Sequence, residues 1–220
     1  MIAFFTPSHE RSLQVARHLT SATDEVDTVF RTIEGRSHGN RTIVYTVGHG
    51  SDAAYAAARV ALRRGAVRLI PLLQAGCLAA VAEEKGFGPG DLVPVGAVWD
   101  LRALAPVLDL LPDSAREFPI AVELPAAPVW LGSSDGISLG TLPRASTSLF
   151  LYRHLYNSTG TALLDQQASG YADAAMELKC GAFHPIAQVA EVRSSRGVLA
   201  GPALQRSRDF DRAIEAIMAR

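Results

Sequence analysis

Apolar and polar positions alternate along this chain in blocks that predict strands and helices in turn. Short apolar runs of strand length stand at residues 2–5, 67–73 and 186–192. Apart from Arg68, the run at 67–73 is continuous, which is typical of a strand buried on both faces of a sheet. Between such runs, apolar residues recur at helical spacing, most clearly in the alanine-rich segment 53–64. This order predicts an α/β fold with helices on both faces of a sheet.

The other blocks complete the predicted fold. Strands are expected at residues 29–33, 42–47, 91–99, 129–131 and 161–164, and helices at 12–19, 78–85, 143–156, 166–180 and 207–220. Turn-like residues at 34–40 join the first two of these strands into a hairpin, so the sheet is expected to be mixed. Residues 100–128 contain five prolines and no clear period, which predicts a long loop containing one short helix. No repeat or linker is found, so residues 1–220 are predicted to form a single domain.

Composition narrows the class of protein. The chain has 220 residues, of which 48% are hydrophobic, and its formal net charge is −1. A near-neutral chain is a poor candidate for binding nucleic acid or an anionic membrane surface. No apolar run reaches the roughly 18 residues that span a bilayer, and the apolar start is too short for a secretory signal. Cys77 and Cys180 form no C-x-x-C pair. We therefore expect a cytoplasmic protein without membrane or nucleic-acid partners.

In an open α/β sheet, ligand-binding and catalytic residues are expected just after the carboxyl ends of the strands. These positions are residues 6–10, 48–52, 74–77 and 193–197, with residues 165–167 opening a helix. Gly48 and Gly50 allow backbone N–H groups to approach a ligand, although such glycines also serve a tight turn. Ala75 and Gly76, where the apolar run is expected to break, leave room for a planar group or for close packing. Ser51 or Asp52 is expected to cap the following helix.

Two charged residues and the histidines complete the candidate chemistry. Glu10 and Arg11 follow the first strand and could orient a water, a phosphate or a ribose hydroxyl. On its own, however, a glutamate at this position more often belongs to the charged first turn of a surface helix. The histidines show no spacing that favours a metal site, so no metal is predicted. Cys77 has no adjacent base, which argues against a nucleophilic thiol.

Taken in order, the motifs resemble the nucleoside phosphorylase superfamily. They are Gly48-His49-Gly50, the alanine-rich helix, Ala75-Gly76-Cys77-Leu78, Phe87-Gly88-Pro89-Gly90-Asp91-Leu92-Val93 and Ala190-Glu191-Val192-Arg193-Ser194-Ser195. Among its branches the chain most resembles the nucleosidases, namely methylthioadenosine/S-adenosylhomocysteine nucleosidase and futalosine hydrolase. The resemblance implies a three-layer αβα sandwich around a twisted mixed β-sheet. It also implies a homodimer in which the neighbouring chain closes the site.

The resemblance further implies hydrolysis of the N-glycosidic bond of a purine-type nucleoside or a futalosine-like substrate, without a cofactor. The transition state is a ribosyl cation of the oxocarbenium type. Glu10 is the candidate for orienting the water, although Arg11 lies closer to the family position in an ungapped comparison. Arg193 matches the family arginine. Gly48, Gly50, Ala75 and Gly76 are expected to contact the substrate.

The sequence departs from the family pattern at the catalytic positions. Gln167, with Gln166 beside it, stands where a glutamate grips the ribose, and a neutral amide cannot offset an oxocarbenium charge. Asp165 could substitute only if the helix began at a shifted position. Gly197 replaces the aspartate or asparagine that recognises the base. Arg196 could instead supply a cation for an anionic or carbonyl-bearing ligand.

Three functions therefore remain open at this point. The first is a nucleosidase with altered base recognition, acting on a small nucleoside-like molecule. The second is a catalytically degenerate nucleoside-binding protein on the same fold, which the residues at 167 and 197 favour. The third is a phosphate-dependent nucleoside phosphorylase, for which Arg11 beside the turn at residues 48–50 is the candidate anion ligand.

Overall fold

Twelve strands and seven helices are found in the part of the chain that the structure describes. The structure is a computed structural model, and it describes residues 1–26, 29–110, 123–132, 135–146, 148–200 and 208–219. The strands are β1 (Ile2–Thr6), β2 (Thr20–Val26), β3 (Arg31–Ser37), β4 (Asn40–Thr46), β5 (Arg68–Leu78), β6 (Leu92–Asp100), β7 (Trp130–Leu131), β8 (Ile137–Thr141), β9 (Leu163–Asp165), β10 (Ala182–Phe183), β11 (Ile186–Ser194) and β12 (Gly197–Ala200). The helices are α1 (His9–Ala16), α2 (Ser51–Arg63), α3 (Ala79–Lys85), α4 (Ala105–Leu110), α5 (Leu149–Thr159), α6 (Ala168–Glu177) and α7 (Arg208–Met218), with a short 3₁₀ helix at Arg102–Leu104.

The long strand β5 connects two parts of the sheet. Its first residues pair in parallel with β1, and β1 continues through β4 and β3 to the edge strand β2. Its later residues pair with β11 and β9. Since β11 also pairs with β6, β6 with β8 and β8 with β9, these five strands close into a ring. The carboxyl half of β5 therefore forms part of this ring.

Alternating side chains of the buried strands separate two layers of helices. Ala3 and Phe5 of β1 face the cluster that contains the buried alanines of α2 and α6. Ile2 and Phe4 face the opposite cluster, which contains Val15 of α1 and residues of α7. Period-two alternation on a strand with both faces apolar produces this arrangement. The predicted α/β sandwich with a mixed sheet is thus confirmed.

The alanine-rich face of α2 packs closely on α6. Ala54, Ala57, Ala58 and Ala61 are fully buried on this face. On α6, Gly170 lies against the backbone carbonyl of Ser51 at the start of α2, where even a methyl group would overlap the carbonyl oxygen. Small side chains let two helices approach closely, so this contact fixes the first turn of α6 against the first turn of α2.

Several predicted boundaries are wrong. Strand β5 runs through residues 74–77, where a break was expected, because this segment pairs with β11 inside the ring. Helix α5 begins after its cap Ser148 rather than at residue 143, and α6 ends at Glu177 rather than at residue 180. Gly50, in a positive-φ conformation, occupies the cap position of α2, so neither Ser51 nor Asp52 caps that helix. The hairpin turn shrinks to two residues because β3 and β4 extend to residues 37 and 40.

The sequence analysis also missed four strands. These are β2, β8, β10 and β12. The predicted loop at 100–128 contains the 3₁₀ helix and α4, while residues 111–122 of that prediction lie outside the described residues. Among the described helices, none has the length and apolarity needed to cross a membrane.

Candidate functional site

A cavity of about 90 Å³ lies where the carboxyl-terminal parts of β5, β9 and β11 meet. Its described walls comprise Gln74, Ala75, Gly76, Leu142, Arg144, Ala145, Ser146, Tyr152, Leu164, Asp165, Gln166, Ala190 and Glu191. Four of the predicted site residues, Ala75, Gly76, Asp165 and Gln166, are thus brought together. Strands β5 and β11 run parallel, and the cavity lies toward their carboxyl ends, where α/β sheets bind ligands.

The cavity is small in this conformation. Its volume of about 90 Å³ is enough for ordered water but not for a larger molecule. Pockets for drug-sized ligands measure about 300–1,000 Å³. A cavity of about 810 Å³ lies instead beside Arg68 and Ile186, the first residues of β5 and β11, and contains none of the predicted site residues. A nucleoside therefore requires the walls of the smaller cavity to move apart.

Gly76 permits two side chains to enter the cavity. A Cβ atom at this position would lie 2.6 Å from the Tyr152 hydroxyl oxygen and 3.0 Å from Glu191 Oε1. The first separation is shorter than real contacts of a Cβ atom, and the second is tighter than most of them. Gly76 is therefore needed for Tyr152 of α5 and Glu191 of β11 to approach the middle of β5.

A bulge in β11 directs Glu191 toward the cavity. Val189 pairs with Ala75, but Glu191 and not Ala190 pairs with Gly76, so one residue is extra on β11. Such a bulge turns the following side chains and is frequent beside functional sites. Val189 and Val192 both face the core, while Ala190 and Glu191 line the cavity.

Arg193 holds this carboxylate. Its Nε donates a hydrogen bond of 2.8 Å to Glu191 Oε1, and its Nη2 donates to the same oxygen. The guanidinium also lies 6.0 Å from the centre of the Tyr152 ring. Burial raises the pKa of Tyr152 to about 12 against the opposing effect of Arg193. The Tyr152 hydroxyl is therefore a protonated donor at neutral pH.

Asp165 joins the cavity wall to helix α6. Its Oδ2 accepts hydrogen bonds from the backbone N–H groups of Gln167 at 3.0 Å and Ala168 at 2.9 Å. Its Oδ1 accepts from the Thr141 hydroxyl at 2.9 Å. Burial raises the pKa of Asp165 to about 7, and these three hydrogen bonds act in the opposite direction. Asp165 thereby satisfies N–H groups at the start of α6 that would otherwise lack acceptors.

Gln167 does not line the cavity. It is buried, and its Nε2 donates a hydrogen bond of 2.5 Å to the carbonyl oxygen of Gly48. Gly48 and Gly50 adopt positive φ angles of 75° and 99°, which favour glycine. The side chain at 167 therefore connects the turn before α2 to the start of α6. The predicted contact of Gly48 and Gly50 with a ligand stays a prediction.

The remaining candidates lie outside the cavity walls. Glu10 is exposed in the first turn of α1, and Arg196 is exposed in the turn between β11 and β12. Arg11 is buried, donates to Gln14 at 2.5 Å and to Gln188 at 2.6 Å, and stacks on Phe210. Burial lowers the pKa of Arg11 to about 10.

Sequence reasoning missed two residues of this site. Glu191 was part of a matched motif but was not selected, and Tyr152 was expected only as part of a helix. The pattern Glu-x-Arg at 191–193 could have indicated an ion pair on one face of a strand. Burial, with the nearby charge of Glu191, raises the pKa of Cys77 to about 12, which agrees with its exclusion as a nucleophile. No group of three metal-binding side chains is found among the described residues.

Replacing Gln167 with glutamate is expected to lower the free energy of unfolding by about 1–2 kcal/mol. A carboxylate cannot donate to the Gly48 carbonyl and would face its oxygen at close range. Urea denaturation measures the change. Gln166→Glu, one residue earlier in the cavity wall, is the matched control and should stay near the wild-type value. Equal stability of the Gln167→Glu variant and the wild type would contradict the assigned bond.

Comparison with solved structures identifies the fold. The nucleosidase of Helicobacter pylori, complexed with a pyrrolidinol compound, matches with a TM-score of 0.71 over 99% of this chain and 97% of that chain, at 10% identity. Futalosine hydrolase of H. pylori matches with a TM-score of 0.69 over 99% and 96%, at 10% identity. The methylthioadenosine/S-adenosylhomocysteine nucleosidase of Colwellia psychrerythraea, in complex with adenine, matches with a TM-score of 0.65 over 99% and 89%, at 16% identity.

The predicted resemblance to the nucleosidases is therefore confirmed at the level of the fold. No protein-family model matches the sequence, and no curated protein matches it. The chain has the fold of these nucleosidases with a sequence that is very different from theirs.

Proposed function

We propose that this protein hydrolyses the N-glycosidic bond of a nucleoside-like substrate at the cavity between β5, β9 and β11. The observation that carries the proposal is that two carboxyl side chains, Asp165 and Glu191, and a protonated tyrosine line one cavity in a chain with the fold of the nucleosidases. The resemblance favours a purine-type or futalosine-like nucleoside, and a homodimer whose second chain helps to enclose it.

The chemistry of the bond defines what the site has to supply. When the C1′–N bond breaks, the electron pair goes to the base nitrogen and positive charge develops on the ribosyl ring. The leaving base needs a hydrogen-bond donor or acid, and the ring needs nearby negative charge. Tyr152 supplies the donor, since its hydroxyl is protonated and faces the cavity beside Gly76. Ala75 and Gly76 supply the flat surface against which the base lies.

Water completes the reaction. Its oxygen bonds to C1′, and one of its protons is transferred, directly or through solvent, to the departing base. Glu10 is the proposed base for this water, which requires the substrate to bridge the distance between α1 and the cavity walls. Gln166 and Arg196 are proposed to contact the sugar and an anionic or carbonyl group of the substrate.

A second function is favoured by two features of the chain. The amide of Gln167 is occupied by the Gly48 carbonyl, and Gly197 has no side chain for the base. Both features suit a protein that binds a nucleoside without cleaving it. A phosphorylase is less favoured, because Arg11 is engaged with Gln14 and Gln188 on the face of the sheet that carries α1 and α7.

Incubation with adenosine, methylthioadenosine, inosine and futalosine, followed by chromatography, tests the proposal. We expect release of a free base that does not depend on phosphate. In ¹⁸O-labelled water, hydrolysis places the label on C1′ of the sugar. Calorimetric binding without base release would support the nucleoside-binding protein, and release only with phosphate would support the phosphorylase. Light scattering separately tests the homodimer.

Glu10→Gln is expected to lower the rate of base release about 100-fold while leaving substrate binding unchanged, because general base catalysis typically contributes that much. The matched control is Glu83→Gln, an exposed glutamate on α3, which should keep the wild-type rate. Full activity of the Glu10→Gln variant would transfer the water-activating role to another residue.

A further inference from the structure

We infer that Glu191, displayed by the bulge of β11, is the carboxylate that faces a positively charged sugar ring in this site. The inference rests on the proposed function for the reaction, but it concerns recognition of charge and can be tested by binding alone. The ligand class is a hydroxylated five-membered ring that bears positive charge or develops it when a C–N bond breaks.

The two oxygens of Glu191 have different surroundings. Both hydrogen bonds from Arg193 go to Oε1. Among the described residues, Oε2 accepts no hydrogen bond from a protein group. One oxygen therefore holds the carboxylate in place, and the other is available to accept from a sugar hydroxyl or to lie near a cationic ring atom.

The exposed fractions of the Arg193 and Glu191 side chains also indicate that the carboxylate faces the cavity. The side chain of Arg193 is 10% exposed, whereas that of Glu191 is 31% exposed. The cation thus lies behind the carboxylate, and the carboxylate lies toward the cavity. A fixed charge that is oriented before the ligand arrives stabilises developing charge without reorganisation.

Asp165 and Gln167, the other two residues from which the family pattern would draw this carboxylate, are engaged within the protein. Asp165 uses both oxygens for Thr141 and for the start of α6. Gln167 is neutral and donates to Gly48. Glu191 is therefore the described carboxylate on the cavity wall that retains an oxygen for a ligand. In this chain the negative charge reaches the cavity from β11 and not from α6.

Tyr152 and Gly76 define how the ring would lie. Because Gly76 has no side chain, Tyr152 and Glu191 approach each other across it. A ligand entering here meets a hydroxyl donor on one side and a carboxylate on the other. In the proposed reaction the C1′–N electron pair moves toward the base near Tyr152, and the ring cation forms near Glu191. Glu191 forms no covalent bond with the sugar. The new bond to C1′ comes from the oxygen of the water.

A pair of small probes isolates the charge. 1,4-Dideoxy-1,4-imino-D-ribitol is a protonated ring amine at neutral pH, and 1,4-anhydro-D-ribitol is its neutral counterpart with oxygen in the ring. Calorimetry with the wild-type chain should show about tenfold tighter binding of the cationic ring, the size expected for one partly screened charge pair. The Glu191→Gln variant should lose this preference and bind the two rings about equally tightly. Glu25→Gln, on the exposed edge strand β2, is the matched control and should keep the preference.

The outcomes separate this inference from the proposed function. A wild-type chain that prefers the cationic ring through Glu191 but releases no base supports the inference and overturns the hydrolase. A chain that releases base while Glu191→Gln keeps the full charge preference supports the hydrolase and overturns the inference. Binding of neither probe by the wild type, or of both equally, also overturns it. If Glu191→Gln does not fold, Glu191→Asp is measured, and its shorter side chain should reduce the preference several-fold.

Discussion

Gly170→Ala is expected to lower the free energy of unfolding by about 3 kcal/mol, the upper part of the range for overpacking. The added methyl group would overlap the carbonyl oxygen of Ser51, which belongs to the backbone of α2 and cannot rotate away. Relief requires α6 to move from α2, and that movement disturbs the buried alanines Ala57 and Ala58. Thermal and urea unfolding of the two proteins measure the difference.

Steric overlap and helix propensity predict opposite signs for the change in the free energy of unfolding of Gly170→Ala. In an exposed helix, alanine is better than glycine by about 1 kcal/mol. A loss of stability at residue 170 would therefore be a net effect of the overlap. Gly88→Ala is the matched control, since its nearest neighbour would be 3.9 Å from the new methyl group. A Gly170→Ala variant as stable as the wild type would mean that α2 and α6 are not in contact as described.

Much of the fold could be predicted because its signals are local. The apolar run 69–73 of β5 and the alanine-rich face of α2 are both buried, and their own side chains indicate this burial. The strand-end rule selected Ala75 and Gly76, and the predicted helix start selected Asp165 and Gln166. The structure brings these four residues to one cavity, and their contact with a ligand stays a prediction.

The missed strands lack that local signal. Every residue of β2 is exposed, so no apolar alternation marks it, and it forms through pairing with β3. Strand β8 is five residues long and includes Gly140, which sits against Leu101 and Thr161 where a side chain would not fit. Such strands are determined by their neighbours in the sheet rather than by their own composition.

The details of the site depend on contacts that are distant in sequence. The bulge that directs Glu191 appears only in the pairing of β11 with β5. The partner of Gln167 lies 119 residues away, at Gly48. The sequence indicates which side chain stands at 167, but only the structure indicates that its amide is bonded within the protein. The direction in which the Gln167 side chain points therefore depends on a distant partner, and the sequence around residue 167 does not indicate it.

The titration of Asp165 is expected to lower the free energy of unfolding as the pH rises from about 4 to about 7. Its folded-state pKa is raised to about 7 by burial, from an ordinary value of 3.8. Between these two values the unfolded chain has lost this proton while the folded chain retains it. The folded state then binds more protons, so stability falls with increasing pH and levels off above about 7. At about 1.4 kcal/mol per pH unit, the contribution of this carboxyl amounts to about 4 kcal/mol.

Comparison with Asp165→Asn isolates this effect from all other titrating groups. The asparagine oxygen can still accept from the N–H groups of Gln167 and Ala168, and its NH₂ group can donate to Thr141 Oγ1, so the cap is largely kept. Urea unfolding between pH 4 and pH 8 should show the variant gaining about 4 kcal/mol relative to the wild type. Asp52→Asn, an exposed carboxyl in the first turn of α2, should reproduce the wild-type slope. A pH-independent difference between Asp165→Asn and the wild type would mean that the three hydrogen bonds outweigh burial. Asp165 would then be a permanent anion at the start of α6, and the cavity would contain two fixed negative charges rather than one.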